Sequence, residues 1–324
     1  MSIGVLLLGK ETDKKSMRNR VEQQQDPQRT TDFMDQNRVF TVDEFARHLG
    51  GEKSLAAYRV RYFLKQRRLK RLANGVYATV PVGVAPESYE PDAFLAAAAI
   101  RTDAVFAYHS ALDLLGQGHS VWWTCTVCTG RPRSPVKVGR TTIRFLSHPK
   151  AARPRAKASS SGEGAKVPWT TEVPRGGRTL RVTTPERTLV DGFRELSLVG
   201  GLDELVESMD GFATLNPDAL KEILHAYDNR RLWAAVGSYL ERRLEGLFLD
   251  ASILGDFQKQ RPRTRVYLVP GQRGGVLAKD WNLVVPAHLQ RRVRGDDDGD
   301  DEDHDDDHDA GDEDDGDDGG DHGP

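Results

Sequence analysis

The sequence predicts an α+β fold in which a small helical unit precedes a mixed α/β body. Three observations predict it. Residues 31–80 hold two short amphipathic runs separated by Gly50-Gly51 and followed by a hairpin signal at Asn74-Gly75. Beyond residue 92, helix-like and strand-like patterns alternate. Residues 295–324 contain sixteen Asp and two Glu with no Lys or Arg, a composition that cannot bury a core.

Residues 1–28 are polar and aperiodic after Leu8 and read as a disordered arm. Thr41-Val42-Asp43-Glu44 is a capping box, with hydroxyl and carboxylate each satisfying a free N–H of the other's backbone. It opens a helix through Phe45, Ala46 and Leu49 that Gly50-Gly51 ends. A second helix is predicted from Ser54 to Arg67, burying Ala56, Val60, Phe63 and Leu64 at i, i+4, i+7, i+8. Lys53, Ala57, Tyr58, Arg61, Tyr62 and Lys65 fall outside that stripe, with Arg59 at its border. Arg68 to Val80 holds two short runs joined by Asn74-Gly75, the strongest local signal for a type I′ hairpin. Helix, glycine turn, helix, hairpin is the order of a winged helix-turn-helix, placed at 29–82.

Pro81 to Pro91 reads as a Pro-rich linker. The body, 91–290, opens with an Ala-rich helix, Ala93 to Ile100, and a short helix from Tyr108 to Leu115 stopped by Gly116. Strands are predicted at Val121 to Val127, Thr141 to Leu146 and Leu180 to Thr183. Residues 149–168, rich in Ala, Ser, Gly, Lys and Arg, read as a flexible basic insertion. Thr184-Pro185-Glu186 supplies an N-cap, a proline at N1 and an early carboxylate. Helices follow at Leu202 to Met209, Pro217 to Tyr227 and Arg231 to Leu247. Short strands at Val266 to Val269 and Trp281 to Val285 close the body.

Charge is polarised along the chain. The net charge of −3 comes from 46 basic and 49 acidic side chains; without residues 295–324 the balance is 46 against 31, or +15. A basic body favours an anionic partner, nucleic acid first. Between Lys53 and Arg71 there are eight Lys or Arg and no carboxylate. Such groups bond phosphate oxygens, and Arg also reads guanine bidentately. Tyr58, Arg61, Tyr62 and Lys65 are therefore expected in a major groove, Lys53, Arg59, Lys70 and Arg71 on phosphates, and Asn74 at the adjacent minor groove. The acidic tail reads as a solubilising appendage, or, because it imitates a phosphate string, as a competitor of DNA for that basic face. Two cysteines suit a reducing compartment. No run approaches the roughly 20 apolar residues of a membrane helix, so a cytoplasmic protein without a membrane partner is expected.

Chemistry-bearing patterns are sparse. Cys125-Thr126-Val127-Cys128 has metal or redox spacing, but on a strand i and i+3 point to opposite faces, so buried or half-buried thiols are expected. His109, Ser110 and Asp113 lack a nucleophile elbow, and Ser110 at a helix start is expected to cap or to pack. Asp203, Glu204 and Glu207 share one helical turn and read as a solvated face. His304, His308 and His322 lie among tail aspartates that offer no fixed cage for a cation. Trp122 and Trp123 read as core packing, with a ligand-sensing pocket as the other reading. No phosphate-binding glycine loop or metalloprotease motif occurs. No metal, cofactor or catalytic group is expected, and hence no enzyme.

In its order of motifs, over roughly residues 31–290, the chain resembles the AbiEi family of antitoxins from type IV toxin–antitoxin systems. The matching stretches are Asn74-Gly75-Val76-Tyr77-Ala78, His109-Ser110-Ala111-Leu112-Asp113-Leu114-Leu115-Gly116, Thr183-Thr184-Pro185-Glu186-Arg187-Thr188-Leu189-Val190-Asp191 and Gly237-Ser238-Tyr239-Leu240-Glu241. The resemblance implies a transcriptional repressor that binds inverted repeats in double-stranded DNA of its own operon. It also implies a C-terminal domain that counters a nucleotidyltransferase toxin without forming a stable complex. The acidic tail and the basic insertion have no counterpart in that pattern. Two other readings stand beside it: a solitary winged-helix regulator whose C-terminal domain senses a ligand or protein, and a nucleic-acid enzyme docked by its winged helix.

Overall fold

The computed structural model describes residues 27–154 and 166–291. Most of the predicted arm, the centre of the predicted insertion (155–165) and the acidic tail lie outside the described residues. What is described is α+β.

Helix α1 (Pro27–Gln36) starts at the end of the predicted arm. It buries Phe33 and Met34, with the Phe33 ring 5.1 Å from Phe45 and 5.2 Å from Phe40. Strand β1 (Val39–Thr41) leads into α2 (Val42–His48). The capping box forms as the residues demand: Glu44 N–H donates to Thr41 Oγ1 at 3.1 Å and Thr41 N–H to Glu44 Oε2 at 2.7 Å. Gly50 and Gly51 turn the chain at φ of 86° and 96°, a left-handed region where a Cβ is strained. Helix α3 (Lys53–Lys65) follows, then β2 (Leu69–Ala73) and β3 (Val76–Thr79) around Asn74-Gly75. The three strands form a sheet of order β1-β3-β2, with a register irregularity between Arg71 and Ala73.

The body is built on a six-stranded mixed sheet. Asp92 caps α4 (Ala93–Ile100), accepting the Phe94 N–H at 2.8 Å. After it come β4 (Val105–Phe106), α5 (His109–Leu114), β5 (Thr124–Thr129), β6 (Val136–Val138), β7 (Thr141–Ser147), β8 (Thr170–Arg175) and β9 (Arg178–Thr183). Their order is β6-β7-β5-β4-β9-β8, with β5 parallel to β7 and β4 parallel to β9. Thr184 caps α6 (Pro185–Arg194), which is followed by α7 (Leu202–Asp210), α8 (Pro217–Tyr227), α9 (Arg230–Arg243) and α10 (Leu254–Lys259). A small sheet of β10 (Val266–Tyr267), β11 (Val276–Ala278) and β12 (Leu283–Val285) precedes α11 (Ala287–Arg291). On one face of the large sheet, Ala93, Ala96 and Ala97 pack with Phe106, Cys125, Val127 and Ile143. On the other, α6 to α10 contribute the larger core with Cys128, Leu189, Val236 and Trp281. None of the described helices is long and apolar enough to cross a membrane.

Several expectations are corrected. The strand expected from Val121 begins only at Thr124, because Trp122 turns out of the ladder to stack on His109 at 5.2 Å. Trp281 sits in a short 3₁₀ turn before β12. The described ends of the predicted insertion are packed: Ala152 and Val167 are buried, and the Pro168 carbonyl accepts a bond from Arg187.

The N-terminal unit and the body share an apolar seam in which Val39, Val76 and Ala78 pack with Leu95 and Ala99. Arg178 of β9 crosses it, donating to Glu44 Oε2 at 2.8 Å and to the Val39 carbonyl at 3.0 Å. Burial raises the Glu44 pKa, but the bonds from Arg178 and Thr41 outweigh it and hold the carboxyl below its usual range. The pair is thus intact at neutral pH and weakens as pH falls through that lowered value. Residues 81–91 are tied down on both sides, Glu87 by Arg67 at 2.8 Å and Glu90 by Arg140 at 3.8 Å.

Candidate nucleic-acid interface

Helix α3 has one wet face and one dry face. Ala56 and Val60 are buried, with Leu55, Phe63 and Leu64 packed beside them. On the opposite side Tyr58 is 67% and Tyr62 51% exposed, and Arg61 and Lys65 are exposed with them. These four stand at i, i+3, i+4 and i+7, a single stripe along the helix. The helix carries no carboxylate, and its N-cap residue Glu52 makes no side-chain cap bond. Arg61 and Lys65 form no ion pair among the described residues. Lys53 meets Asp43 at 2.9 Å, with both groups well exposed. Such a solvated pair contributes about 0–1 kcal/mol.

The other predicted contacts divide. Arg71 and Asn74 are exposed at the hairpin, where Arg71 Nη2 donates to Asn74 Oδ1 at 3.1 Å. Arg59 is half-buried and donates to the Thr30 hydroxyl of α1. Lys70 donates to the Tyr89 carbonyl at 2.7 Å and lies over that residue's ring. Arg59 and Lys70 therefore hold the chain to itself, whereas Tyr58, Arg61, Tyr62, Lys65, Lys53, Arg71 and Asn74 stand at the surface.

One basic side chain escaped the sequence reading. Arg133, from the loop before β6, lines the same cleft as Asn74 and Gly75 at the hairpin tip. A run from residue 114 to 162 without any Asp or Glu was the signal that could have found it.

The interior groups have structural partners. Cys125 and Cys128 are buried as free thiols, and burial pushes Cys128 up to about 12. Ser110 does not cap α5; its Oγ accepts the Thr126 N–H at 2.7 Å and pins β5. Glu204 is not on a solvated face: it is 9% exposed and accepts from His109 Nε2 at 3.1 Å, Ser208 Oγ at 3.1 Å and the Ser120 N–H at 3.1 Å. Burial opposes its charge, yet the Ser120 and Ser208 bonds hold its pKa down. Asp203 and Glu207 sit at the edge, meeting His288 at 2.8 Å and His119 at 2.7 Å. Trp123 is exposed beneath the Arg140 guanidinium, which lies 4.2 Å from its ring centroid.

No protein-family model matches the chain, and no curated protein matches it. Among solved structures it is similar to the crystal structure of the RV2827C protein from Mycobacterium tuberculosis. The TM-score is 0.50 at 16% sequence identity, over 79% of this chain and 90% of that one. That likeness is one of fold.

Proposed function

We propose that the chain is a winged-helix repressor that binds duplex DNA sequence-specifically and has no catalytic activity of its own. In this reading α2 and α3 are the helix-turn-helix, α3 enters the major groove and the β2–β3 hairpin is the wing. The observation that carries it is the exposed stripe Tyr58, Arg61, Tyr62 and Lys65 on a carboxylate-free helix, with an Asn-Gly hairpin beside it. Two cations and two aromatic rings on one helix face supply bidentate donors for guanine and apolar surface for the thymine methyl. By its resemblance to AbiEi antitoxins, the DNA is an inverted repeat upstream of its own gene. The body then counters a nucleotidyltransferase toxin encoded alongside.

The test is binding of the purified chain to the DNA upstream of its own coding sequence. Arg61→Ala is expected to lose about 1–3 kcal/mol of specific binding and to relax preference at one base position. Arg71→Ala should weaken specific and random DNA alike and flatten the salt dependence by about one unit. Unchanged affinity in a Tyr58, Arg61, Lys65 triple alanine variant overturns the reading. For the antitoxin part, co-expression with the neighbouring reading frame should relieve that gene product's toxicity.

A further inference from the structure

We infer that the DNA-binding surface continues past the wing onto the body, where Arg131, Arg133 and Lys137 hold backbone phosphates of the same duplex. This rests on the repressor reading above and extends it to a part of the chain that a winged helix does not include.

Charge is the first support. Between Gly130 and Ser147 the sequence places Arg131, Arg133, Lys137, Arg140 and Arg144 with no Asp or Glu, and all five are exposed. Position is the second. Strand β6 is the edge of the large sheet and lies beside β2 of the wing. Arg133 shares the cleft at the wing tip with Asn74 and Gly75, and Arg131 lines the next cleft with Ile100 and Gly130. The basic surface of the wing therefore runs onto the loop without a break in the fold.

Local carboxylates do not cancel this charge. Asp43 is engaged by Lys53 at 2.9 Å, Asp103 by Arg101 at 2.9 Å, and Glu90 by Arg140 at 3.8 Å. Arg131, Arg133 and Lys137 form no ion pair among the described residues. The loop is also stiff. Pro132 and Pro135 fix their own φ and restrict the residues before them. Arg133 is steadied by the Phe145 ring, 5.7 Å from its guanidinium. Prolines and cations on an edge strand also discourage pairing with another strand. A polyanion that already meets the wing is the occupant this geometry fits. The contacts would be sequence-independent and governed by counterion release.

The experiment uses the full chain and a triple variant, Arg131→Gln, Arg133→Gln and Lys137→Gln. Affinity is measured against salt on operator duplexes of two lengths, one trimmed to the site and one extended on both flanks. The expected result is a slope of log K against log salt flatter by about 2–3 units on the extended duplex, from about 0.9 per phosphate contact. Base preference should be unchanged, and most of the difference should vanish on the trimmed duplex. Arg133→Glu alone should reproduce the direction of the effect with an unchanged melting temperature. If the triple variant matches the parent in slope and affinity while Arg61→Ala still loses the operator, the extension fails and the repressor reading stands. If neither variant differs from the parent, the repressor reading fails as well. Equal losses on both duplex lengths would put these side chains away from the flanks and overturn the inference.

Discussion

Arg187→Ala should reduce stability by about 3–5 kcal/mol, the loss expected when a buried ion pair is left with one charge. Arg187 and Asp191 are both fully buried on α6, with Nε to Oδ2 at 3.2 Å. Arg187 also donates through Nη1 to the Pro168 carbonyl at 3.0 Å, tying α6 to the segment before β8. Removing the guanidinium leaves the Asp191 carboxylate with the Tyr227 hydroxyl at 2.6 Å and the more distant Arg194 at 3.7 Å. Burial, and then the charge of Asp191, push the Tyr227 hydroxyl far above its usual range, so it serves only as a neutral donor. It cannot replace a cation. Replacing both partners, Arg187→Met with Asp191→Leu, should recover part of the loss, because the buried carboxylate goes with the guanidinium while the Tyr227 hydroxyl and Arg194 lose their contact with it. Urea unfolding of the parent and the two variants checks the claim. A loss below about 1 kcal/mol in Arg187→Ala would mean that Tyr227 and Arg194 satisfy the carboxylate without it.

The second large effect is a reversal of sign at Gly237. A Cβ built there meets the Trp281 ring at 2.1 and 2.3 Å, far inside contact distance. Trp281 is fully buried, and its Nε1 donates to Glu241 Oε2 at 2.7 Å, so the ring has nowhere cheap to move. Ala in mid-helix normally gains about 1 kcal/mol over Gly. Here overpacking, at about 1–3 kcal/mol, outweighs that gain and Gly237→Ala destabilises. Trp281→Ala alone should lose about 3–5 kcal/mol through the cavity it leaves. In that background Gly237→Ala should become neutral or stabilising, since the clash is gone and the helix preference remains. Thermal melts of the four-member cycle read the coupling. A Gly237→Ala variant as stable as the parent would show that α9 and the 3₁₀ turn can separate without loss.

Sequence made visible what short-range chemistry determines. The Thr41–Glu44 box, the Asn74-Gly75 hairpin, the Thr184-Pro185 start and the bounds of α8 all depend on neighbours a few residues away. The stripe on α3 was legible for the same reason. What escaped depends on distant partners. Glu204 looks like one carboxylate on a solvated turn until His109 and Ser120, 95 and 84 residues away, are brought onto it. Arg59 reads as a phosphate ligand until α1 places Thr30 beside it. Lys70 does so until Tyr89 folds back. Strand β8 is an edge strand whose side chains are largely exposed, and it offers no alternating apolar pattern. Arg133 comes to share a cleft with Asn74 only because the fold sets β6 beside β2.

The two thiols, three residues apart on β5, face different cores: Cys125 lies with α4, Val127 and Ile143, and Cys128 with α6 and the large helical layer. Neither reacts while its face is closed, because an alkylating reagent needs both access and thiolate, and burial denies both. The strand is thus a pair of clocks. The time at which each sulfur is labelled in the native protein dates the opening of one side of the sheet. Equal labelling times would mean that the two layers come away together, and unequal times that one lifts first.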